Sequence, residues 1–221
     1  MVKEHAEQRQ KRAGRIVRKL ARAYPDATCA LHFDTPFQLL IATILSAQCT
    51  DQMVNQVTAE LFAKYGSPEA LASAKPAEVE ALVKRTGFYR QKARSIQAAA
   101  AGIMERFGGE VPRTLEELVT LRGVARKTAN VVLGNCFEVP GLTVDTHMKR
   151  VNRRLELTSE KDPDKIERDL MALIPKPGWT RYSHQVIQHG RECCDARRPQ
   201  CDGCPLRSEC PYPDAASAGA R

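Results

Sequence analysis

The stretch LRGVARKTANVV, residues 121–132, places a glycine turn directly before an apolar helical segment. Gly123 interrupts a leucine-periodic segment, and Arg126 and Lys127 fall in the first turn of the segment that follows. A cation at a helix N-terminus loses about 0.3–1 kcal/mol, because that end carries partial positive charge. A phosphate held by exposed backbone N–H groups would offset this cost. A lysine among positive charges also loses its proton more easily and becomes a nucleophile. Ordinary solvated surface cations are the alternative interpretation.

The composition favours an acidic partner. The 221 residues include 34 Lys and Arg against 26 Asp and Glu, which gives a net charge of +8. Basic proteins of this kind commonly bind nucleic acid. The aromatic content of 5% argues against a single-strand binder that stacks bases on aromatic side chains.

The N-terminal residues 1–25 are basic and lack the apolar run of a signal peptide. Glu4 and Glu7 are unlike a transit peptide, which is usually poor in acidic residues. No stretch approaches the roughly 20 apolar residues of a membrane span. We therefore expect a cytoplasmic protein without a membrane partner, whose cysteines are thiols or metal ligands.

The predicted fold class is all-α, because apolar residues recur at helical spacing and no segment alternates with period two. The segment DTPFQLLIATILSAQ, residues 34–48, has Pro36 at the favoured first position and is apolar nearly all round, so this helix should be central. Thr114 and Glu117 form a capping box. Further helices are predicted at residues 54–65, just after 67–68, from 76 to before 87, at 96–107, from about 146 to 155 and at 166–174.

The segment CDARRPQCDGCPLRSEC, residues 194–210, spaces four cysteines as Cys-x6-Cys-x2-Cys-x5-Cys. Four thiolates this close can enclose a metal centre. Zinc and a [4Fe–4S] cluster are equally compatible with the ligand type, although zinc ribbons usually join two close cysteine pairs. The four candidate ligands are Cys194, Cys201, Cys204 and Cys210, and the four expected packing cysteines are Cys29, Cys49, Cys136 and Cys193.

The loop between the first two candidate ligands contains Arg197 and Arg198. A metal site that presents arginines rigidly would make a phosphate clamp. A solvated turn is the alternative for these two residues.

Together, these segments resemble endonuclease III, a family of helix-hairpin-helix DNA glycosylases and AP lyases of base excision repair. The stretch at 121–132 resembles the hairpin motif with its lysine, and VDTHMKRV at 144–151 supplies an aspartate. The cysteine spacing is similar to the family's [4Fe–4S] signature, and PFQLLIATILSAQCTD at 36–51 is similar to its first barrel helix. The resemblance covers roughly residues 15–212.

The resemblance implies a helix-hairpin-helix glycosylase fold. A six-helix barrel that includes the hairpin should occupy residues 29–135. Residues 1–28 and 136–221 should form a helical iron–sulfur cluster domain, with DNA in the cleft between the two domains. The resemblance also favours a [4Fe–4S] cluster over zinc, and we expect its role to be structural.

The resemblance implies a bifunctional DNA glycosylase and AP lyase that removes oxidised pyrimidines and cleaves the strand 3′ to the abasic site by β-elimination. Lys127 would attack C1′ and form a Schiff base, and Asp145 would stabilise the developing positive charge and assist deprotonation of the lysine. Asp145 could alternatively serve only as a helix cap. The expected partner is double-stranded DNA with oxidised pyrimidines or abasic sites, and the expected enzyme is a monomer associated with the bacterial nucleoid.

The resemblance also implies DNA contacts. The hairpin should present backbone N–H groups to a phosphate, and Gln48 and Phe88 should fill the gap left by the flipped nucleotide. His147 should lie near the damaged site. Phe88 could instead belong to the core, and His147 could be a surface side chain. The complete predicted DNA-binding set is Gln48, Phe88, Arg122, Gly123, Val124, Ala125, Arg126, His147, Arg197 and Arg198.

Three positions depart from the family pattern. Arg122 and Ala125 replace the usual proline and second glycine of the hairpin, and Gln185 stands where tryptophan is expected. Two rival functions follow from the same motifs. One is a non-catalytic iron–sulfur DNA-binding or redox-sensing module. The other is an adenine glycosylase, which would need a carboxylate on the early barrel helix, where Thr43 stands instead.

Overall fold

The computed structural model describes residues 4–213; residues 1–3 and 214–221, at the ends of the predicted cluster domain, lie outside the described part. Within residues 4–213 the regular structure consists of eleven α-helices and three short 3-10 helices, with no strand. None of the helices in this range is both long and apolar enough to cross a membrane. The predicted all-α class is confirmed.

The helices follow one another along the chain with short connections. The α-helices are α1 (Ala6–Ala23), α2 (Pro36–Leu45), α3 (Asp51–Tyr65), α4 (Pro68–Ala72), α5 (Pro76–Val83), α6 (Tyr89–Phe107), α7 (Leu115–Leu118), α8 (Arg126–Cys136), α9 (Thr146–Arg154), α10 (Pro163–Leu173) and α11 (Trp179–Glu192). The 3-10 helices are Lys84–Thr86, Lys176–Gly178 and Arg207–Glu209.

The chain divides into two compact units. The central unit is Cys29–Val139 and contains α2 to α8. The terminal unit combines Met1–Thr28 with Pro140–Arg221 and contains α1 and α9 to α11. Each unit has its own cluster of buried apolar side chains.

Helix α2 is the centre of the central unit, as the sequence predicted. Thr35 caps it by accepting a hydrogen bond from the N–H of Gln38 at 3.2 Å, and Pro36 takes the first helical position. All of its residues except Pro36 and Gln38 are buried, and it packs against α3, α6 and α8. A helix that is apolar on every side is stable only when covered on every side.

The remaining boundaries of the central unit follow local signals, with one exception. The Thr114 hydroxyl accepts a hydrogen bond from the N–H of Glu117 at 3.3 Å, which confirms the predicted N-cap. The hydroxyl also donates to the Glu117 carboxylate at 2.7 Å, so that carboxylate meets the Thr114 side chain rather than its backbone N–H as in a complete capping box. Helix α6 begins at Tyr89, well before the predicted start at residue 96. Its first turns are mostly polar, and among them Lys92 is buried, so apolar periodicity could not reveal them.

The terminal unit joins the first helix of the chain to the last helices. Helix α1 packs against α10 and α11 through its buried residues Ala13, Ile16 and Leu20. The buried side chain of Gln185 in α11 donates a hydrogen bond from Nε2 to the carbonyl of Tyr24 at 3.3 Å. This bond satisfies the buried amide of Gln185 at a backbone carbonyl just beyond the end of α1, but the structure gives no reason for glutamine rather than tryptophan at this position.

Candidate functional site

The predicted hairpin motif is a tight turn between α7 and α8. The N–H of Val124 donates to the carbonyl of Leu121 at 3.1 Å, and α8 begins at Arg126. Gly123 has a φ of +82°, and a Cβ placed there would lie 2.9 Å from the Cβ of Ser95 in α6. Both the left-handed backbone and the close packing require glycine at this position.

The two departures in the hairpin leave its backbone path unstrained. Arg122 is exposed, with its side chain in solvent. Ala125 is the N-cap of α8 and has extended backbone angles, φ −87° and ψ 166°, which any residue adopts. Alanine also offers no side-chain oxygen to the N–H groups of the first turn of α8, so it does not compete with an external anion.

Lys127 lies in the first turn of α8, next to Arg126, and both residues are exposed. The helix is anchored in the apolar core by the residues that follow. Its buried positions are Thr128, Ala129, Asn130, Val132 and Leu133. The anchored face holds the backbone of Lys127 in place while its amine is accessible to a ligand.

Gln48 and Phe88 both adopt left-handed backbone conformations, with φ values of 52° and 47°. Such a conformation costs about 1–3 kcal/mol for a residue other than glycine and concentrates at functional sites. Glu138 and Glu156 also have positive φ, but they follow the ends of α8 and α9, where left-handed residues are common. Phe88 is unusual because it precedes the first residue of α6, a position that normally has extended backbone.

The Phe88 side chain is 65% exposed, so its assignment to the core is wrong. The next most exposed large apolar side chains in residues 4–213 have exposed fractions of only 37% to 43%. Gln48, Phe88 and the hairpin Gly123 line one pocket of the central unit, together with residues of α2 and α6. The structure therefore brings together three of the predicted DNA-contacting residues.

Asp145 caps α9 in the terminal unit. Its Oδ1 accepts a hydrogen bond from the N–H of Met148 at 2.8 Å, which confirms the capping interpretation. Within residues 4–213, its second oxygen, Oδ2, has no hydrogen-bond partner, and the residue is half-buried. Capping therefore uses one carboxylate oxygen and leaves the other available.

His147, two residues later, is half-buried rather than a free surface side chain. Its Nδ1 lies 3.1 Å from Nη2 of Arg150, which also donates to the carbonyl of Gly190 at 2.7 Å. The Arg150 guanidinium can only donate, and a backbone hydrogen bond with Gly190 also holds the ring of His147. Burial lowers the pKa of His147, against the opposing effect of Asp145. A Cβ on Gly190 would lie 2.8 Å from Nδ1, so glycine is required for this packing.

The four predicted metal ligands surround one cavity of the terminal unit. All eight cysteines of the chain are free thiols. Burial raises the pKa of Cys193 to about 12, and its Sγ lies within 4.8 Å of both Cys204 Sγ and a ring nitrogen of His189. Cys193 is therefore not a remote packing residue. The cysteines that line the cavity are Cys193, Cys194, Cys201, Cys204 and Cys210.

Two polar contacts around this cavity were missed by the sequence analysis. The hydroxyl of Tyr24 lies 2.9 Å from Nδ1 of His189, and Nε2 of the same ring lies 3.8 Å from Sγ of Cys204. Burial lowers the pKa of His189 to about 4, so the ring is neutral. No local pattern could have revealed a contact between residues this far apart along the chain.

Arg154 fastens the first part of the cysteine loop to α9. Its Nη1 lies 3.1 Å from Sγ of Cys194 and donates to the carbonyl of Asp195 at 2.6 Å, and Nη2 donates to the carbonyl of Ala196 at 2.8 Å. The guanidinium also lies over the ring of Tyr212, 4.4 Å from its centroid. The sequence offered one signal, a basic pair four residues apart in α9, formed by Arg150 and Arg154.

Arg197 and Arg198 lie on an ordered turn of the same loop. Both backbone N–H groups donate to Oδ1 of Asp195, at 2.8 and 3.1 Å, and these bonds lower the pKa of that carboxyl. Both arginine residues are exposed. The turn thus has a fixed backbone, and its two guanidinium groups are free to meet an anion.

Comparison with known proteins identifies the family to which the hairpin and the fold belong. The HhH-GPD family, described as a superfamily of base excision DNA repair proteins, matches residues 41–176. The chain belongs to this superfamily, and within it to the endonuclease III family. It is 53% identical to endonuclease III of Synechocystis sp. over 208 residues, which cover 94% of this chain and 95% of that protein.

Two solved structures have the same fold at high coverage. A non-covalent endonuclease III–DNA complex matches with a TM-score of 0.90 and 41% identity over 95% of this chain and 98% of that chain. A trapped covalent endonuclease III–DNA intermediate, an estranged-adenine complex, matches with a TM-score of 0.90 and 42% identity over 94% and 98%.

Proposed function

We propose that this base excision repair enzyme, a DNA glycosylase and AP lyase, removes oxidised pyrimidines through a Schiff base on Lys127. The observation that best supports this proposal is the position of Lys127. It is an exposed lysine in the first turn of α8, directly after the left-handed turn at Gly123. The relative captured as a covalent DNA intermediate supports a reaction that passes through a bond between enzyme and DNA.

The proposed chemistry uses a single amine. The neutral Nζ of Lys127 attacks C1′ of the damaged nucleotide, the glycosidic bond breaks, and the base leaves with its electron pair and takes up a proton. Opening of the sugar ring gives a Schiff base between Nζ and C1′. Loss of a proton from C2′ then expels the 3′-phosphate, which breaks the strand, and water releases the enzyme by hydrolysing the Schiff base.

Asp145 is proposed to act beside this amine. The carboxylate stabilises positive charge that develops on the sugar as the base departs, and it takes up the proton that the lysine loses. Because the N–H of Met148 fixes Oδ1, the free Oδ2 has a defined direction. A helix cap and a catalytic carboxylate are therefore compatible in one residue.

Double-stranded DNA is the partner, and the described contacts divide by role. The hairpin of residues 122–126 is proposed to hold a phosphate through its backbone N–H groups, which sets register without reading sequence. Phe88 and Gln48 are proposed to enter the base stack when the target nucleotide is extruded. His147 and the arginines at 197–198 are proposed to contact the backbone.

The cysteine cavity fits a [4Fe–4S] cluster. Its donors are soft thiols, and its lining also includes apolar side chains, such as Val151 and Leu206, and the basic side chains of Arg154 and Arg207. Burial raises the pKa of Cys201 and Cys210, and a bound cation would favour their ionised form. When bound, the cluster supplies crosslinks among the segments that carry the four cysteines, and we propose no role for it in the reaction itself.

Borohydride trapping on a duplex with thymine glycol tests the proposed function. The wild-type enzyme should form a covalent protein–DNA adduct, and Lys127→Ala should form none while its affinity for the duplex stays within about threefold, since an exposed side chain rarely affects folding. Lys165→Ala, which removes an exposed lysine of α10, is the matched control and should trap like wild type. A wild-type protein that binds the duplex without forming an adduct would instead be the non-catalytic module.

A second measurement tests the cluster. Purified protein should be brown and contain iron, whereas colourless protein with stoichiometric zinc would contradict the proposal. We also propose that the enzyme acts in the cytoplasm on nucleoid DNA, as expected for a relative of bacterial endonuclease III proteins.

A further inference from the structure

Lys92 in α6 is a buried cation in the central unit. Its residue is only 6% exposed, and its Nζ donates a hydrogen bond to the carbonyl of Thr86 at 2.7 Å. Within residues 4–213 this carbonyl is its one hydrogen-bond acceptor. Lysine is almost never buried without a partner, and burial accordingly lowers the pKa of this ammonium.

The acceptor of this bond begins the segment that carries Phe88. Thr86 is itself buried, and its hydroxyl donates to the carbonyl of Val83 at 2.8 Å. Gly87 and Phe88 follow, both with positive φ. Lys92 contacts this segment a second time, because its backbone N–H donates to the carbonyl of Phe88 at 3.0 Å. The backbone bond is the first bond of α6 and does not depend on the side chain, so the specific contribution of Lys92 is its side-chain bond on the other side of Gly87.

Lys92 also faces the segment that carries Gln48. The neighbouring thiol of Cys49 raises the pKa of the Lys92 ammonium and partly opposes the effect of burial. Lys92, Gln48 and Phe88 line the same pocket, next to the hairpin Gly123. Lys92 therefore borders the same pocket as both residues that are proposed to enter the base stack.

A methionine of similar length would fill the same space without the desolvation cost of an ammonium. What the ammonium adds is a directional hydrogen bond to a carbonyl two residues before Phe88. That carbonyl belongs to a 3-10 turn, whose geometry is less regular than an α-helix and more dependent on outside contacts.

We propose that Lys92 is a positioning residue, which holds the Thr86–Phe88 turn in the conformation that lets Phe88 and Gln48 occupy the gap in the duplex. This inference rests on the proposed function, since it assigns Lys92 to the extrusion step of that reaction. Lys92 does not touch the reacting atoms and acts through Phe88.

The test compares Lys92→Met with wild type in single-turnover removal of thymine glycol from two duplexes. In one duplex the lesion faces adenine, and in the other it faces a stable abasic analogue, which leaves no pair to break. On the first duplex the variant should be slower by about tenfold to a hundredfold, the range that a misplaced group costs. On the second duplex it should differ from wild type by no more than about twofold, and Lys92→Arg should recover part of the loss on the first.

Two controls separate positioning from a general loss of structure. Ile103→Val, a buried substitution further along α6, should not slow lesion removal from one duplex more than from the other. In a Phe88→Ala background, Lys92→Met should not slow removal of the paired lesion any further. Both changes act on the same step, the entry of the Phe88 side chain into the duplex. Equal slowing on both duplexes, or full additivity with Phe88→Ala, would overturn the inference. If wild type neither cleaves nor traps either duplex, the proposed function has failed instead.

Discussion

The two units of the molecule are stabilised in different ways. The central unit surrounds α2 with a large set of buried apolar side chains, and its buried hydroxyls mostly satisfy nearby carbonyls of their own helix or turn, as Thr43 and Thr86 do. The terminal unit has a smaller apolar cluster, and long-range polar pairs cross it, including Tyr182 with Asn152 and Tyr24 with His189. The central unit is therefore stabilised mainly by apolar burial, whereas the terminal unit relies more on specific long-range bonds and, by the proposal above, on its cysteine site.

The largest expected effect is the loss of a cluster ligand. Cys204→Ser should abolish iron binding and remove hydrogen-exchange protection from α9–α11 while α2–α8 stay protected, because structural metal sites contribute on the order of 10 kcal/mol to folding. Cys29→Ser, a half-buried cysteine of the central unit, is the control and should retain iron. Equal loss of protection in both units would show that they do not differ in this way.

A smaller effect is expected from a single buried polar pair. Tyr182→Phe leaves Oδ1 of the fully buried Asn152 without its donor, which should cost about 1–3 kcal/mol in urea unfolding. Tyr65→Phe in the central unit removes a hydroxyl bonded to Glu78, whose side chain is 38% exposed, and should cost about 0.5 kcal/mol or less because water replaces the bond. Equal costs for the two variants would remove the contrast between the units.

Two glycines sharpen the comparison further. Gly123→Ala in the central unit combines a left-handed backbone with a contact to Ser95 and should destabilise by about 1–3 kcal/mol, with weaker duplex binding. Gly14→Ala in α1 of the terminal unit meets only a flexible arginine tip at 3.6 Å and should stabilise by about 0.4–1 kcal/mol. Thermal melting of both variants and a duplex-binding titration check these expectations. If both variants lose stability, any added side chain is destabilising, and the effect is not specific to Gly123.

The smallest effect of a single substitution concerns acid. Burial lowers the pKa of His147, His184 and His189, all in the terminal unit, below the ordinary value of 6.5, and His189 falls furthest, to about 4. Below pH 6.5 the unfolded chain binds protons that the folded unit does not, so the stability of the terminal unit should fall as pH decreases. His184→Gln should reduce this fall in urea unfolding between pH 7 and pH 5. His32→Gln, an exposed histidine of the central unit, should leave it unchanged.

Much of the fold was predictable because its signals are local. Pro36 and the Thr114–Glu117 pair mark helix starts in a few residues, and the apolar period identifies α2 and α3. The early part of α6 was missed because its residues are mostly polar and its buried pair includes Lys92, which an apolar pattern excludes, beside Ala93. Periodicity identifies a helix only where its buried face is apolar.

Less of the candidate site than of the fold could be predicted from the sequence. The hairpin turn at Gly123 and the cap by Asp145 follow from residue type and spacing. The contacts of Arg154 and of Tyr24 could not be predicted, since each bonds to groups far along the chain. The exposure of Phe88 could not be predicted either, because no sequence pattern indicates that an aromatic residue just before a helix adopts a left-handed backbone conformation.

The terminal unit is built from both ends of the chain, and this sets an order on synthesis. Every residue of the central unit leaves the ribosome before α10 and α11, so that unit can fold while translation continues. Helix α1 emerges first but has to wait for α10 and α11, with Ala13, Ile16 and Leu20 uncovered in the nascent chain. Because the four cysteines of the proposed metal site follow α11, a metal held there would be loaded only after nearly the whole chain has left the ribosome.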